Sequence, residues 1–386
     1  MQGHVHPDFA SVAERLRRVL DGGWLHEGRG GAAVAVYHRG ELVVDAWGGV
    51  KDRAGNQWQR DTMAMSFSTT KGVVATVVHR LVDRGELAYD DPVARYWPEF
   101  AVAGKGGITV RDLLTHQAGL HEVRGLVSSA EDLLDWDDMI ARLGAAEPRW
   151  EPGRRSGYHA LTFGWLVGEL IRRVTGLSVD EAVQREVAEP LGLDGLRVGL
   201  PEPERARAAE LLMSPRSVER LERLAARLEK RDRYRPLVEA LVVDGFLDIS
   251  LSERIHDGEI PAANGVFTAR SLARMYAAIA TPDCFDRPRL LSPETTAQAT
   301  RIQAFERDSV VGFDMRWRLG YHLAATTAGV LPHGFGHFGF GGSGAWGDPE
   351  TGLAVGFVVN AVAGTPFADL RFLRVGGAAV RSARRR

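Results

Sequence analysis

The chain has 386 residues, of which 45% are hydrophobic and 25% charged, and its formal net charge is −2. This composition is ordinary for a globular protein and argues against nucleic acid or an anionic membrane as the main partner. The single cysteine, Cys284, excludes an internal disulfide and leaves no zinc-ligand pattern, so neither a metal nor another cofactor is expected.

The first 50 residues predict one helix and one hairpin. Residues 9–20 have the apolar spacing of an amphipathic helix, and the N-terminus lacks the apolar core of a signal peptide. Residues 31–50 carry β-branched and aromatic runs interrupted at Arg39-Gly40, which is typical of a β-hairpin. The chain contains no run of about 18 apolar residues, so no membrane-spanning helix is expected and a cytoplasmic protein is predicted.

The middle of the chain is predicted to be mainly helical. Helical periodicity appears in residues 71–84, 108–120, 161–176 and 178–192, and Gly119 is expected to stop the second of these helices. A charged block follows at residues 202–241. Its polar residues are interpreted as a solvated helix face, and its apolar stripe consists of Val218, Leu221, Leu224 and Leu228.

Strand patterns return late in the sequence. They occupy residues 310–320, 335–352 and 353–362, and residues 368–386 predict a final helix with a solvated basic tail. Because strands lie near both ends and helices lie between them, we expect one sheet built from both termini with a helical domain inserted.

Ser68-Thr69-Thr70-Lys71 lies at the start of the first long helix. Only four of the 48 basic residues are lysine, and a buried lysine, unlike an arginine, can lose its proton and act as a base. Residues i and i+3 share a helix face, so Ser68 Oγ and Lys71 Nζ can meet. The positive end of the helix also favours a serine alkoxide. The spacing therefore suggests a nucleophilic serine with a lysine base, and a serine that only caps the helix is the alternative.

Two later segments offer the other groups that such a serine needs. Tyr158 follows a Pro-Gly turn and precedes a helix, where its phenol can relay a proton. His337-Phe338-Gly339 falls in a strand pattern, and the backbone N–H of the next residue, Phe340, can face the Ser68 N–H across a carbonyl oxygen.

Together these segments resemble a known superfamily. Ser68-Thr69-Thr70-Lys71, Tyr158-His159-Ala160 and His337-Phe338-Gly339 stand in the order and rough spacing of the serine β-lactamases and penicillin-binding proteins. The flanking sequence resembles the class C-like branch over residues 34–362. Ala160 replaces the asparagine of the family's Tyr-x-Asn motif, and His337 replaces the lysine of Lys-Thr-Gly. In that superfamily the asparagine and the lysine bind a β-lactam or a D-alanyl peptide. Because both are replaced here, the chain most resembles the family VIII carboxylesterases.

The resemblance implies an α/β (α+β) fold of the β-lactamase/transpeptidase-like type. An antiparallel sheet from both termini would be flanked by helices, and an all-helical domain would be inserted into it. The sheet domain is expected at residues 1–67 and 262–386 and the mainly helical domain at residues 68–261, with the active site between them.

The implied activity is the hydrolysis of small-molecule carboxylic esters through an acyl-enzyme on Ser68. Lys71 and Tyr158 would accept and return the proton, with the main base left open between them. The backbone N–H groups of Ser68 and Phe340 would hold the oxyanion. Residues 202–259 are expected to shape the pocket entrance, and a homo-oligomer is left open. The substrate is expected to contact His337, Phe338, Gly339 and Ala160.

Three alternative functions would use the same fold. The first is a β-lactamase or D,D-peptidase, and the second is acyl transfer to an acceptor other than water. The third is a non-catalytic binding or assembly protein, against which the presence of Ser68, Lys71 and Tyr158 together argues.

Three further signals carry less weight. Residues 334–339 match Gly-x-Gly-x-x-Gly, but another glycine-rich turn follows where a dinucleotide site would need a helix. Ser343 is not a nucleophile elbow, because Ala345 replaces the last glycine of Gly-x-Ser-x-Gly. His116 is interpreted as a structural hydrogen-bonding residue.

Overall fold

A seven-stranded antiparallel sheet lies at the centre of the protein. The computed structural model describes residues 1–21, 30–286, 288–362 and 369–386. The strands in these ranges are β1 (Gln2–Val5), β2 (Gly31–His38), β3 (Glu41–Gly49), β4 (Met63–Met65), β5 (Leu196–Val198), β6 (Ala208–Ala209), β7 (Gly265–Phe267), β8 (His322–Thr326), β9 (Gly329–Phe338), β10 (Gly344–Asp348) and β11 (Leu353–Val359). The large sheet has the order β1-β3-β2-β11-β10-β9-β8, so strands from both ends of the chain pair in one sheet. This confirms the predicted fold class.

Helices cover both faces of this sheet. The helices of the described residues are α1 (Ala10–Leu20), α2 (Thr69–Asp83), α3 (Val110–Leu114), α4 (Trp136–Ala145), α5 (Thr162–Thr175), α6 (Val179–Val183), α7 (Glu189–Leu191), α8 (Pro215–Glu229), α9 (Arg235–Leu241), α10 (Phe246–Ser250), α11 (Ala269–Ala280), α12 (Pro293–Thr300) and α13 (Arg371–Ala383). Helices α1 and α13 pack on one face, and α2 and α11 pack on the other. Within the described residues, no helix combines the length and the apolar composition that crossing a bilayer requires.

The predicted hairpin at residues 31–50 is confirmed as β2 and β3. Arg39 and Gly40 at its tip have φ angles of 51° and 82°. Two successive left-handed residues are typical of the tight turn whose twist matches that of paired strands. Strand β2 is buried almost throughout because helices cover both of its faces.

Two local predictions are corrected. Residues 310–320 form no strand, because Val310 and Trp317 pack into a cluster with Tyr158 instead of alternating across a sheet. The helix predicted at residues 108–120 is only α3. It begins with a capping box at Thr109 and ends early, since His116 adopts a left-handed φ of 59° before Gly119 is reached.

The segment between β4 and β7 is mainly helical, but it is not all-helical as expected. Strands β5 and β6 belong to it and complete a small second sheet of order β5-β7-β4-β6. They have three and two residues, too few for a recognisable alternating pattern. In α8 the apolar stripe is half-buried and Ser217 is the buried residue.

Candidate active site

Ser68 lies in a tight turn between β4 and α2. Ser66 N–H donates to Gly265 O of β7 at 2.8 Å, which anchors the start of the turn. Phe67 then adopts a left-handed φ of 45°, a strained conformation for a bulky residue. The turn is held because Thr70 donates to Phe67 O from both its N–H, at 2.9 Å, and its hydroxyl, at 2.5 Å. Ser68 thereby occupies the N-cap position of α2.

Lys71 makes three hydrogen bonds with its side-chain nitrogen. The partners are Ser68 Oγ at 3.0 Å, Ala160 O at 2.6 Å and Ala262 O at 3.0 Å. The side chain is fully buried, and burial lowers the pKa of Lys71 well below its usual value. Carbonyl oxygens only accept, so the two carbonyls take both N–H groups of a neutral amine. In that neutral form the amine lone pair can accept the Ser68 hydroxyl proton, which is the arrangement a base requires.

Tyr158 reaches Ser68 from 90 residues further along the chain. Its hydroxyl donates to Ser68 Oγ at 2.8 Å. Burial raises the pKa of Tyr158, so the phenol keeps its proton at neutral pH. The ring stacks on Trp317 with centroids 5.4 Å apart and an interplanar angle of 17°. The Ser68 hydroxyl therefore lies between an amine whose protonation is disfavoured and a phenol that holds its proton.

Asp308 is a buried anchor that the sequence analysis missed. Its Oδ1 accepts the backbone N–H groups of Tyr158 at 3.1 Å, Val310 at 2.9 Å and Val311 at 2.9 Å. Its Oδ2 accepts the indole N–H of Trp317 at 2.9 Å. One carboxylate thus positions both the tyrosine and the ring on which it stacks. No motif marks this residue, since several other acids stand nearby in the sequence.

Replacing Asp308 with alanine is expected to lower the free energy of unfolding by about 3 kcal/mol or more, because the backbone and indole N–H groups that donate to its carboxylate lose that acceptor. Guanidinium unfolding followed by tryptophan fluorescence measures the change. The control is Asp314→Ala, which removes an exposed acid from the same segment and is expected to shift stability by less than about 0.5 kcal/mol. Equal unfolding midpoints for the two variants would contradict the anchoring role.

The end of β9 approaches the Ser68 turn closely. A Cβ atom at Gly339 would lie 2.1 Å from Ser66 O, so any side chain there would push the strand away. Phe340 follows, and its ring packs edge-on against Phe67 with centroids 5.1 Å apart. The close approach therefore brings the backbone of Phe340 to the turn that carries Ser68.

The predicted substrate residues on β9 face opposite sides of the sheet. His337 is buried with its ring 6.3 Å from that of Tyr158, and no described residue bonds its Nε2. Burial lowers the pKa of His337, so the imidazole is neutral. Phe338 packs edge-on against Phe372 of α13, at 5.1 Å on the far face. Because side chains alternate along a strand, the Phe338 side chain lies on the opposite face of the sheet from His337, and a contact between Phe338 and the substrate stays a prediction.

Ala160 contributes its carbonyl group to the site. That oxygen forms the shortest of the three Lys71 hydrogen bonds, and the methyl group packs in the cluster that contains Tyr158 and Trp317. Ala160 therefore holds the lysine in place, and its expected contact with the substrate stays a prediction.

His116 stabilises the segment that carries Tyr158. Its Nδ1 accepts the His159 N–H at 3.2 Å, and its ring lies 4.2 Å from Trp317 and 5.1 Å from Tyr158. Burial lowers the pKa of His116, so it packs as a neutral ring. These contacts agree with its interpretation as a structural residue.

Comparison with known proteins matches residues 16–379 to the family described as Beta-lactamase. The chain is 43% identical over 364 residues to the esterase/beta-lactamase LipL of Mycobacterium tuberculosis, covering 93% of this chain and 82% of LipL. A family VIII carboxylesterase structure matches at 36% identity with a TM-score of 0.84 and covers 99% of both chains. A penicillin-binding protein homolog from Caulobacter crescentus matches at 34% identity with a TM-score of 0.83 and also covers 99% of both chains.

Proposed function

The chain belongs to the Beta-lactamase family, and from this membership we propose that it is a serine carboxylesterase that hydrolyses small carboxylic esters through an acyl-enzyme on Ser68. The observation that carries the proposal is the Ser68 hydroxyl, which is hydrogen-bonded both to Lys71 Nζ and to the Tyr158 phenol. An ester substrate is supported by the names of LipL and of the family VIII carboxylesterase.

Acylation begins with proton transfer from Ser68 to Lys71. Burial keeps a fraction of Lys71 as the neutral amine, which takes the hydroxyl proton as Oγ bonds to the ester carbonyl carbon. The carbonyl π electrons move to its oxygen, and the Ser68 and Phe340 N–H groups stabilise the resulting oxyanion. Tyr158 is a poorer base in the resting site because burial favours its neutral form.

Collapse of the oxyanion breaks the bond to the leaving alkoxide. The Tyr158 phenol supplies the proton that makes this group an alcohol, and the proton held by Lys71 then passes to the phenolate and restores the phenol. Water then attacks the carbonyl carbon of the acyl-enzyme and gives up a proton to the pair formed by Lys71 and Tyr158. The bond to Ser68 Oγ breaks, and the carboxylic acid is released. Ser68 recovers its proton, and the net reaction consumes one water for each ester cleaved.

A β-lactamase is the second candidate, favoured by the double name of LipL. Two positions argue for the ester instead. The asparagine of the superfamily would bind the side-chain amide of a β-lactam. Ala160 stands at that position and has only its backbone carbonyl, which already accepts from Lys71. His337 is a buried neutral imidazole where a lysine would hold the substrate carboxylate.

Parallel assays of p-nitrophenyl butyrate and nitrocefin test the proposed substrate class. We expect kcat/KM for the ester to exceed that for the lactam by at least about a hundredfold, a difference of about 2.7 kcal/mol in transition-state binding. An alcohol acceptor added to the ester assay separates hydrolysis from acyl transfer. A higher kcat/KM for nitrocefin than for p-nitrophenyl butyrate would contradict the esterase proposal and support a β-lactamase.

Replacing Tyr158 with phenylalanine is expected to lower kcat by about 10²- to 10⁴-fold on alkyl esters, because it removes the proton donor and keeps the stacked ring. The loss is expected to be smaller on p-nitrophenyl esters, whose leaving group needs less protonation. Kinetics on ethyl butyrate and p-nitrophenyl butyrate measure both effects. Equal losses on the two esters would contradict a role in leaving-group protonation.

The segment at residues 202–259 is proposed to shape the pocket entrance. Its helix α9 supports this role, since Ala240 lies in the buried cluster with Tyr158 and Trp317, and Leu237 and Leu241 pack against that cluster. A cytoplasmic location and a small-molecule partner, without nucleic acid or membrane, stay predictions, and oligomeric state is left open.

A further inference from the structure

A second group of polar side chains lies beside the active site. The side-chain nitrogen of His121 and carboxylate oxygens of Glu122 and Glu239 all lie within 4.8 Å of one another. His121 and Glu122 follow α3, and Glu239 lies on α9. The mechanism above uses none of these three groups.

His121 is the unusual member of this group. Its side chain is 3% exposed, and neither ring nitrogen has a hydrogen-bond partner among the described residues. One face of the ring stacks on Trp150 with centroids 4.9 Å apart and an interplanar angle of 25°. Buried ring nitrogens are normally hydrogen-bonded, so an imidazole with both nitrogens unused indicates a missing partner.

The two carboxyl groups are half-buried and share their surroundings with two arginines. Glu122 accepts from Arg149 at 2.7 Å, and Glu239 accepts from Arg235 at 2.7 Å. The two carboxyl groups also lie close together beside the imidazole, and a cation would reduce the repulsion between them.

Backbone hydrogen bonds join the segment that follows α3 to helix α9. The N–H groups of Val123 and Arg124 donate to Glu239 O at 2.9 and 3.1 Å. The carboxylate of Glu239 is thus fixed beside the chain that carries the other two side chains, so binding a cation would order little additional structure.

We propose that His121, Glu122 and Glu239 form a binding site for a divalent cation of the zinc type. One imidazole nitrogen and two carboxylate oxygens are a ligand set that Zn²⁺ accepts, with water in the fourth position. Mg²⁺ and Ca²⁺ prefer oxygen ligands alone and are disfavoured by the imidazole. A bound cation would tie the chain after α3 to α9, which packs against the Tyr158 cluster.

Metal binding to the full-length, chelator-treated protein tests this site. We expect one Zn²⁺ per chain by mass spectrometry of the metal after gel filtration, and a visible absorption band when Co²⁺ is used instead. His121→Ala and Glu239→Gln should each weaken binding at least tenfold. The control is His333→Ala, since His333 is an exposed histidine 3.8 Å from Glu350 and should leave binding unchanged.

Thermal unfolding separates loss of the site from loss of the fold. Both site variants are expected to unfold cooperatively without metal, and Zn²⁺ should raise the Tm of the wild type but not of either variant. If His121→Ala failed to fold, Glu239→Gln would decide the question, since it is nearly isosteric. Undiminished binding in the variants, no binding in the wild type, equal binding of Mg²⁺, or loss of binding in the His333→Ala control would each overturn the site.

Discussion

Replacing Ser68 with alanine is expected to lower kcat for p-nitrophenyl butyrate by about 10³- to 10⁶-fold, because the substitution removes the atom that forms the acyl-enzyme. Lys71 and Tyr158 remain in the variant, but the Ser68 hydroxyl to which both are hydrogen-bonded is gone. Residual activity is expected to come only from binding and the oxyanion hole.

Intact-protein mass spectrometry after reaction with a fluorophosphonate tests whether Ser68 is the residue that becomes covalently modified. The wild type should gain the mass of one adduct, and the Ser68→Ala variant should gain none. Ser128→Ala, which removes an exposed serine hydroxyl, is the matched control and should behave as the wild type. An adduct and full turnover in the Ser68→Ala variant would place the nucleophile elsewhere.

Replacing Lys71 with arginine is expected to lower kcat by at least about 10³-fold, because a guanidinium cannot give up its proton to become a base. Lys71→Met should lose as much, since it removes the base and the charge together. Lys105→Met is the control, because Lys105 is also fully buried but its Nζ bonds Ala146 O, away from the nucleophile. A comparable loss of activity in that control would show that the effect comes from removing a buried amine in general.

The pH dependence of kcat/KM tests the same assignment through the lowered pKa of Lys71. Protonated Lys71 cannot accept the Ser68 proton, so activity should fall as pH drops through that lowered pKa and should level off above it. The unfolded chain keeps a lysine pKa of about 10.4 and binds more protons than the folded chain in the interval between the two values. The contribution of Lys71 to stability therefore rises with pH across that interval. A wild-type profile without an acid limb would contradict Lys71 as the base.

The sequence by itself determined the parts of the site that depend on local spacing. Ser68 and Lys71 stand one helical turn apart, and any helix with that sequence brings their side chains together. The hairpin at Arg39-Gly40 is equally local. Tyr158 was a candidate because it stands between a Pro-Gly turn and a helix, and the order of motifs that resembles a known superfamily supported its place beside Ser68.

The tertiary structure decided which chemistry each group can perform. Lys71 is a candidate base because carbonyls of Ala160 and Ala262, from two distant segments, accept its N–H groups while the core buries it. Asp308 is an anchor because folding encloses it. Spacing along a chain specifies neighbours on one helix or strand. Burial and pKa depend on residues brought together from distant parts of the chain, such as Ala160 and Ala262, which are 89 and 191 positions from Lys71, and no local sequence pattern predicts them.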